Sequence, residues 1–302
     1  MYQPRRASRS EFLPIRNQRY HLRTWGEPSP DRPVLVMVHG WMDVAASWQF
    51  VVDAMAQDRF IVAPDWRGFG LTEGPPVDHY GFPDYLADLD QLLDHYTPDA
   101  PVHLVGHSMG GNIAMLYSGA RPQRVARLVN LEGFGMPATQ PAQAPGRYAQ
   151  WMDQIKALHG GKLGLRPYDS ADQVAQRLMK TNTRLPLDKA QWLAQHWAYA
   201  DAQGRWHLRG DAAHKVVNAQ LYRVEEALAC YARIAAPLLW IDASDAAQLG
   251  QWWQDRYNID QARARLDQVA QVTKLRLEDA GHMLHHDQPA RVAHAIETFF
   301  AQ

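Results

Sequence analysis

Between residues 34 and 131 the chain alternates short, largely apolar runs with longer amphipathic ones. The apolar runs are VLVMV (34–38), FIVA (60–63), VHLV (102–105) and RLVNL (127–131), with helical spacing over roughly 47–57, 82–96 and 109–121 between them. Runs with no polar alternation suit strands covered on both faces, and strand–helix–strand succession makes neighbouring strands parallel, because the helix carries the chain back to its starting edge. The expected fold is α/β, a mostly parallel, doubly wound sheet. Ahead of it, EFLPIR and RYHLRTW flank Asn17-Gln18, which predicts an antiparallel hairpin at the sheet edge.

The rhythm stops after Leu131. GFGMPATQPAQAPG suits neither strand nor helix, and about 100 residues of mainly helical character follow before PLLWI (237–241) resumes the strand pattern. This predicts a helical lid over 134–236, inserted into an α/β core made of 1–133 and 237–302. The lid carries Tyr148, Trp151, Tyr168, Trp192, Trp197, Tyr199 and Trp206. Sites for small molecules are walled by such side chains, so Trp151, Trp192 and Trp197 are candidate substrate contacts, with packing inside the lid as the competing role for each. Beyond PLLWI come a helix over about 247–269, a strand VTKLRL (272–277), a loop with histidines and a closing helix after Pro289.

The chemistry is concentrated in Gly106-His107-Ser108-Met109-Gly110-Gly111, which directly follows the strand VHLV and directly precedes the helical run NIAMLYSGA. A serine on a sharp strand-to-helix turn presents its hydroxyl at the end of the sheet, and the N–H groups of the new helix point at developing negative charge. Serine needs a base, and His282 in LEDAGHM lies in a loop just past the last strand, from where an imidazole reaches the strand ends. The base needs a carboxylate, expected in the chain order serine, acid, histidine. Asp245, in the loop after PLLWI, is the first choice. Glu132 after RLVNL competes with it, and Asp242 is a third candidate. For the oxyanion, the backbone N–H groups of Trp41, in the loop His39-Gly40-Trp41, and of Met109 are the expected donors. Asp65 in DWRGFG is read as a loop stabiliser.

Bulk properties narrow the remaining options. Lys and Arg total 31 against 32 for Asp and Glu, so no charge excess recruits nucleic acid or anionic lipid. No apolar run has the length of a membrane span and none follows the basic start as in a secretory leader, so a cytoplasmic protein is expected. The lone Cys230 excludes an internal disulfide. Histidines and a carboxylate in HMLHHD (282–287) could ligate a metal, but no second cluster completes a ligand set and His282 already has a role, so neither metal nor cofactor is expected. The expected partner is a small ester or acyl substrate.

On HGW (39–41), DWRGFG (65–70), GHSMGG (106–111), PLLWIDASD (237–245) and DAGHM (279–283), the chain resembles the α/β-hydrolase superfamily over nearly its whole length outside the lid. It is similar to the epoxide-hydrolase-like branch in its DxRGxG loop, but that branch's epoxide hydrolases and haloalkane dehalogenases carry aspartate where this chain has Ser108. Serine hydrolase-like proteins, which begin the first loop with HGW, are the nearer match. The acid loop departs from many relatives in holding Asp242 where they have glycine. The resemblance implies an acyl-enzyme mechanism through Ser108, Asp245 and His282. Interception of the acyl-enzyme by an alcohol, amine or peroxide, or a ligand receptor without chemistry, are the alternatives.

Overall fold

The computed structural model describes residues Met1 to Gln302, apart from the side chains of Ala247 and Gln248. An antiparallel hairpin of β1 (Arg9–Ile15) and β2 (Gln18–Trp25) opens an eight-stranded sheet. The chain then lays down β3 (Leu35–Val38), β4 (Ile61–Pro64), β5 (Val102–His107) and β6 (Val125–Leu131). It leaves the sheet, forms a separate two-stranded ribbon of β7 (Ala198–Ala200) and β8 (Trp206–Leu208), and returns as β9 (Leu238–Ala243) and β10 (Val272–Leu277). The spatial order is β1-β2-β4-β3-β5-β6-β9-β10, parallel throughout except where β2 pairs with β1 and β4.

Successive strand side chains point to opposite faces, which divides the apolar runs between two cores. Val36, Val38, Val62, Leu104, Leu128 and Trp240 face one side, packed by α2 (Phe82–Tyr96), α3 (Met109–Ala120), α7 (Val224–Tyr231) and α9 (Ile259–Arg265). Leu35, Met37, Ile61, Val105, Val129 and Ile241 face the other, packed by α1 (Gln49–Ala54) and α11 (Pro289–Phe300). This is the doubly wound sheet expected from the apolar runs, and the helix expected over 82–96 spans those residues. No helix among the described residues is long and apolar enough to cross a membrane.

Between β6 and β9 lie α4 (Ala144–His159), α5 (Ala171–Thr181) and α6 (Leu187–Trp197), then the ribbon and α7. A third apolar cluster ties α5 and α6 to the sheet unit: Val174, Leu178, Trp192 and Leu193 pack with Val44, Ala46 and Phe50. The last helix of the segment belongs with the sheet layers, since Tyr231 enters the main core. A Cβ at Gly119 of α3 would overlap the Cys230 backbone. The segment read as mainly helical thus also contains strands. The single helix expected over about 247–269 is broken: α8 (Gln248–Trp252) stops before Gln254 and Asp255, whose φ values are 53° and 58°. α9 then restarts under a capping box made by Asn258 and Gln261.

A buried ion pair fixes the loop after β4. Arg67 donates Nε–H and Nη2–H to the two oxygens of Asp88 on α2 at 2.5 and 2.6 Å, and Tyr20 of β2 donates to the same carboxylate at 2.5 Å. Removing one member of a buried pair strands the other charge. Asp88→Ala should therefore destabilise the fold by about 3–5 kcal/mol, read from denaturant unfolding. His103 of β5 gives a pH prediction. Burial, with Arg59 and Arg127 nearby, lowers its pKa from 6.5 to about 4. The unfolded chain then binds more protons than the native state as pH falls from about 6.5 towards about 4, so stability drops across that window. Replacing His103 by Gln should make the fall in Tm over this range shallower.

Candidate active site

Ser108 sits where β5 ends and α3 begins, with φ 52° and ψ −117°. A side chain rarely adopts such a backbone, and residues held there by their surroundings cluster at functional sites. The turn closes only because its flanks lack side chains. A Cβ at Gly106 would strike the Gly110 carbonyl, and one at Gly110 would strike the carbonyls of Val38 and His39. The Ser108 N–H donates to the Leu131 carbonyl at 2.8 Å, anchoring the turn to the end of β6.

His282 comes from the loop after β10. Its Nε2 lies 3.0 Å from Ser108 Oγ and its Nδ1 lies 3.2 Å from Oε2 of Glu132. With Ser108 O–H donating to Nε2 and Nδ1–H donating to the carboxylate, the three side chains form one hydrogen-bonded line. Glu132 follows β6 directly, at φ 56°, and is buried. Its other oxygen accepts the Ala243 N–H at 2.6 Å. Burial pushes its carboxyl pKa up, against the opposing pull of His282 and the Ala243 N–H.

The carboxylate facing His282 is Glu132, the competing candidate, and not Asp245, the first choice. Asp245 Oδ2 pairs with Arg184 Nη1 at 2.7 Å, and its N–H donates to the Ala280 carbonyl at 3.2 Å. Two causes are visible. β6 lies between β5 and β9 in the sheet, so its end is one strand nearer to Ser108. Arg184, which arrives from the segment between β6 and β9, also holds Asp245 in another direction. Asp242 is buried and bound by Arg263.

The loop after β3 presses against the same turn. A Cβ at Gly40 would lie 3.0 Å from both Ser108 Cβ and His107 Nδ1. His39 organises the loop: its Nδ1–H donates to the Gly40 carbonyl at 2.7 Å, its Nε2 accepts the Trp66 N–H at 3.0 Å, and its carbonyl accepts the Trp66 indole. Among the described residues no acceptor is found for the Trp41 or Met109 N–H. Asp65 is a loop organiser, accepting from the His21 ring at 2.7 Å and from the Ala45 and Leu71 N–H groups.

The tryptophans expected as substrate contacts pack elsewhere. Trp192 is buried against Tyr2 and Phe50, at ring distances of 5.8 and 5.6 Å. The Trp197 indole reaches Ser47 Oγ, and Trp151 stands edge-on to His79. Trp252, half exposed on α8, stands edge-on to His282 at 4.7 Å. The Gln-, Arg- and Trp-rich stretch around it reads as one long helix over about 247–269, and nothing in its spacing points to the site. His107 was also missed. Its Nε2–H donates to the His282 carbonyl at 2.8 Å, and burial holds its pKa well below the usual histidine range. Its only local signal is its place beside Ser108.

Comparison with known proteins agrees with this arrangement of elements. A serine hydrolase-like protein of Danio rerio is 25% identical over 297 residues, covering 97% of this chain and 89% of the relative. A 2-hydroxy-6-oxo-2,4-heptadienoate hydrolase of Pseudomonas putida is 36% identical over 105 residues, 34% of this chain and 38% of that enzyme. Among solved structures, the thioesterase domain from the curacin biosynthetic pathway superposes with a TM-score of 0.82 at 23% identity, covering 96% of this chain and 99% of that one, a likeness of fold. The family described as alpha/beta hydrolase fold matches residues 33–289, and the chain belongs to that family.

Proposed function

We propose that the protein is a serine hydrolase that cleaves a carboxylic ester, or a similar acyl bond, through an acyl-enzyme. The observation that carries this reading is the unbroken line from Ser108 Oγ through His282 to Glu132, at 3.0 and 3.2 Å. His282 takes the Ser108 proton as Oγ attacks the acyl carbon. Glu132 holds the Nδ1–H tautomer and stabilises the imidazolium that forms. The proton then passes to the leaving alcohol, and water activated by the same imidazole releases the acid. The Trp41 and Met109 N–H groups, free of intramolecular acceptors among the described residues, are the proposed donors to the oxyanion. The acid role goes to Glu132 because a charge held beside an imidazole in a buried, low-dielectric setting acts more strongly than one already paired at the surface. The segment between β6 and β9 is proposed to act as a lid, with Trp252 rather than the lid tryptophans bordering the acyl pocket.

Labelling by a fluorophosphonate probe and turnover of p-nitrophenyl esters test the nucleophile. Both should be lost in Ser108→Ala, and a variant that still hydrolyses esters would remove Ser108 from its role. The acid is tested separately. Glu132→Gln should lower kcat/KM by about 10²–10⁴-fold. Asp245→Asn, which breaks only a partly exposed ion pair, should change it by less than about tenfold. The reverse ranking would return the acid to Asp245.

A further inference from the structure

Behind the Ser108–His282 pair lies a group of buried polar side chains that the proposed reaction does not use. Asp43, from the loop that carries Trp41, is 2% exposed, and His285 and His286 on α10 (Leu284–Asp287) are 1% and 2% exposed. One oxygen of Asp43 is satisfied by the Val44 N–H at 2.8 Å and the Ser47 hydroxyl. The other has no hydrogen-bond partner, and its nearest ionisable neighbour is His285 Nε2 at 3.7 Å. His285 Nδ1, His286 Nε2 and His107 Nδ1 are likewise buried without partners. The rings are contiguous, with centroids 4.2 Å apart from His107 to His285 and again from His285 to His286. An orphaned buried polar atom costs about 1–3 kcal/mol, so several in one place call for a shared partner.

We propose that Asp43, His285 and His286 form a buried site for one borderline divalent cation, zinc in the first instance. One ligand atom from each lies within 4.8 Å of the others. The set of one carboxylate and two imidazoles matches what zinc prefers over magnesium or calcium. A cation between them would give the free Asp43 oxygen and one nitrogen of each ring a shared partner, and it would add countercharge to a carboxylate whose ion-pair contact among the described residues is His285 alone. Zinc bonds of about 2.0–2.2 Å place ligands about 3.4 Å apart, so loading requires the side chains to turn inward by about 1 Å. The three side chains leave the fourth position of a tetrahedral ion to a water. HMLHHD alone lacks a complete ligand set, and Asp43 joins it only because the parallel strands β3 and β10 both end on the same side of the sheet. The ion would tie the loop that carries Trp41 to the segment that carries His282, holding two sides of the candidate active site together without touching the reacting atoms.

The test uses untagged full-length protein stripped with a chelator, then given zinc alone, with cobalt(II) as a spectroscopic stand-in. The proposal expects one zinc per chain by elemental analysis after dialysis, and a Tm raised by about 5 °C or more. It also expects a cobalt visible spectrum of tetrahedral intensity. His286→Gln should lose the bound zinc, the Tm rise and the cobalt band, whereas His282→Ala should keep all three. Wild-type protein that retains less than about 0.1 zinc per chain and shows no Tm rise would overturn the site, leaving these atoms to internal water. So would zinc retained by His286→Gln or lost from His282→Ala, since the ion would then sit on other histidines.

Discussion

The turn from β5 into α3 carries Ser108 at φ 52° because the strand end, the helix start and the loop after β3 meet with no room for side chains at residues 40, 106 and 110. Such a backbone costs of order 1–3 kcal/mol and persists only when its surroundings over-determine it. Here they do: the Ser108 N–H is bound to the end of β6, and the strands on either side are covered by packed helices on both faces. Glu132, at φ 56° directly after β6, is held by its own N–H to Ile241 and by its carboxylate on Ala243. Two left-handed backbones in the centre of the sheet therefore lie at neighbouring strand ends, where the same packing enforces both.

That shared enforcement explains how a histidine from the far end of the chain is aimed. The His282 ring contacts Ser108 and Glu132, while its carbonyl is held by His107 from beneath. The ends of β5 and β6 thus converge on one imidazole. The loop after β3 presses on the β5 end through Gly40, and His39 and Trp66 brace that loop. The half-exposed Trp252 ring flanks the same imidazole.

Much of this was legible in residue order. The run VHLVGHSMGGNIAML switches from strand to helical periodicity at Ser108, and the structure turns there. Uniformly apolar strands announced a sheet buried on both faces. The failures have a common origin. The Gln- and Trp-rich stretch after Asp245 has helical spacing throughout, yet positive φ at Gln254 and Asp255 and the Asn258 cap split it, leaving Trp252 beside His282. Trp192 and Trp197 were equally suited to a pocket wall or to packing, and the apolar face offered by Val44, Ala46 and Phe50 decided for packing.

Local patterning determined where most strands and helices and the Ser108 turn would lie, because side-chain periodicity and glycine placement act within a few residues of themselves. It could not say which of Glu132, Asp242 and Asp245 faces His282, since each follows a sheet strand and each is a carboxylate. Tertiary structure decided that contact. Strand order brought Glu132 next to the β5 turn, while Arg184 and Arg263, distant in sequence, captured the other two. The same through-space convergence set Asp43 beside His285 and His286 across more than 240 residues of chain. A carboxylate's partner is decided by distance and burial, and neither is encoded in its own neighbourhood of the sequence.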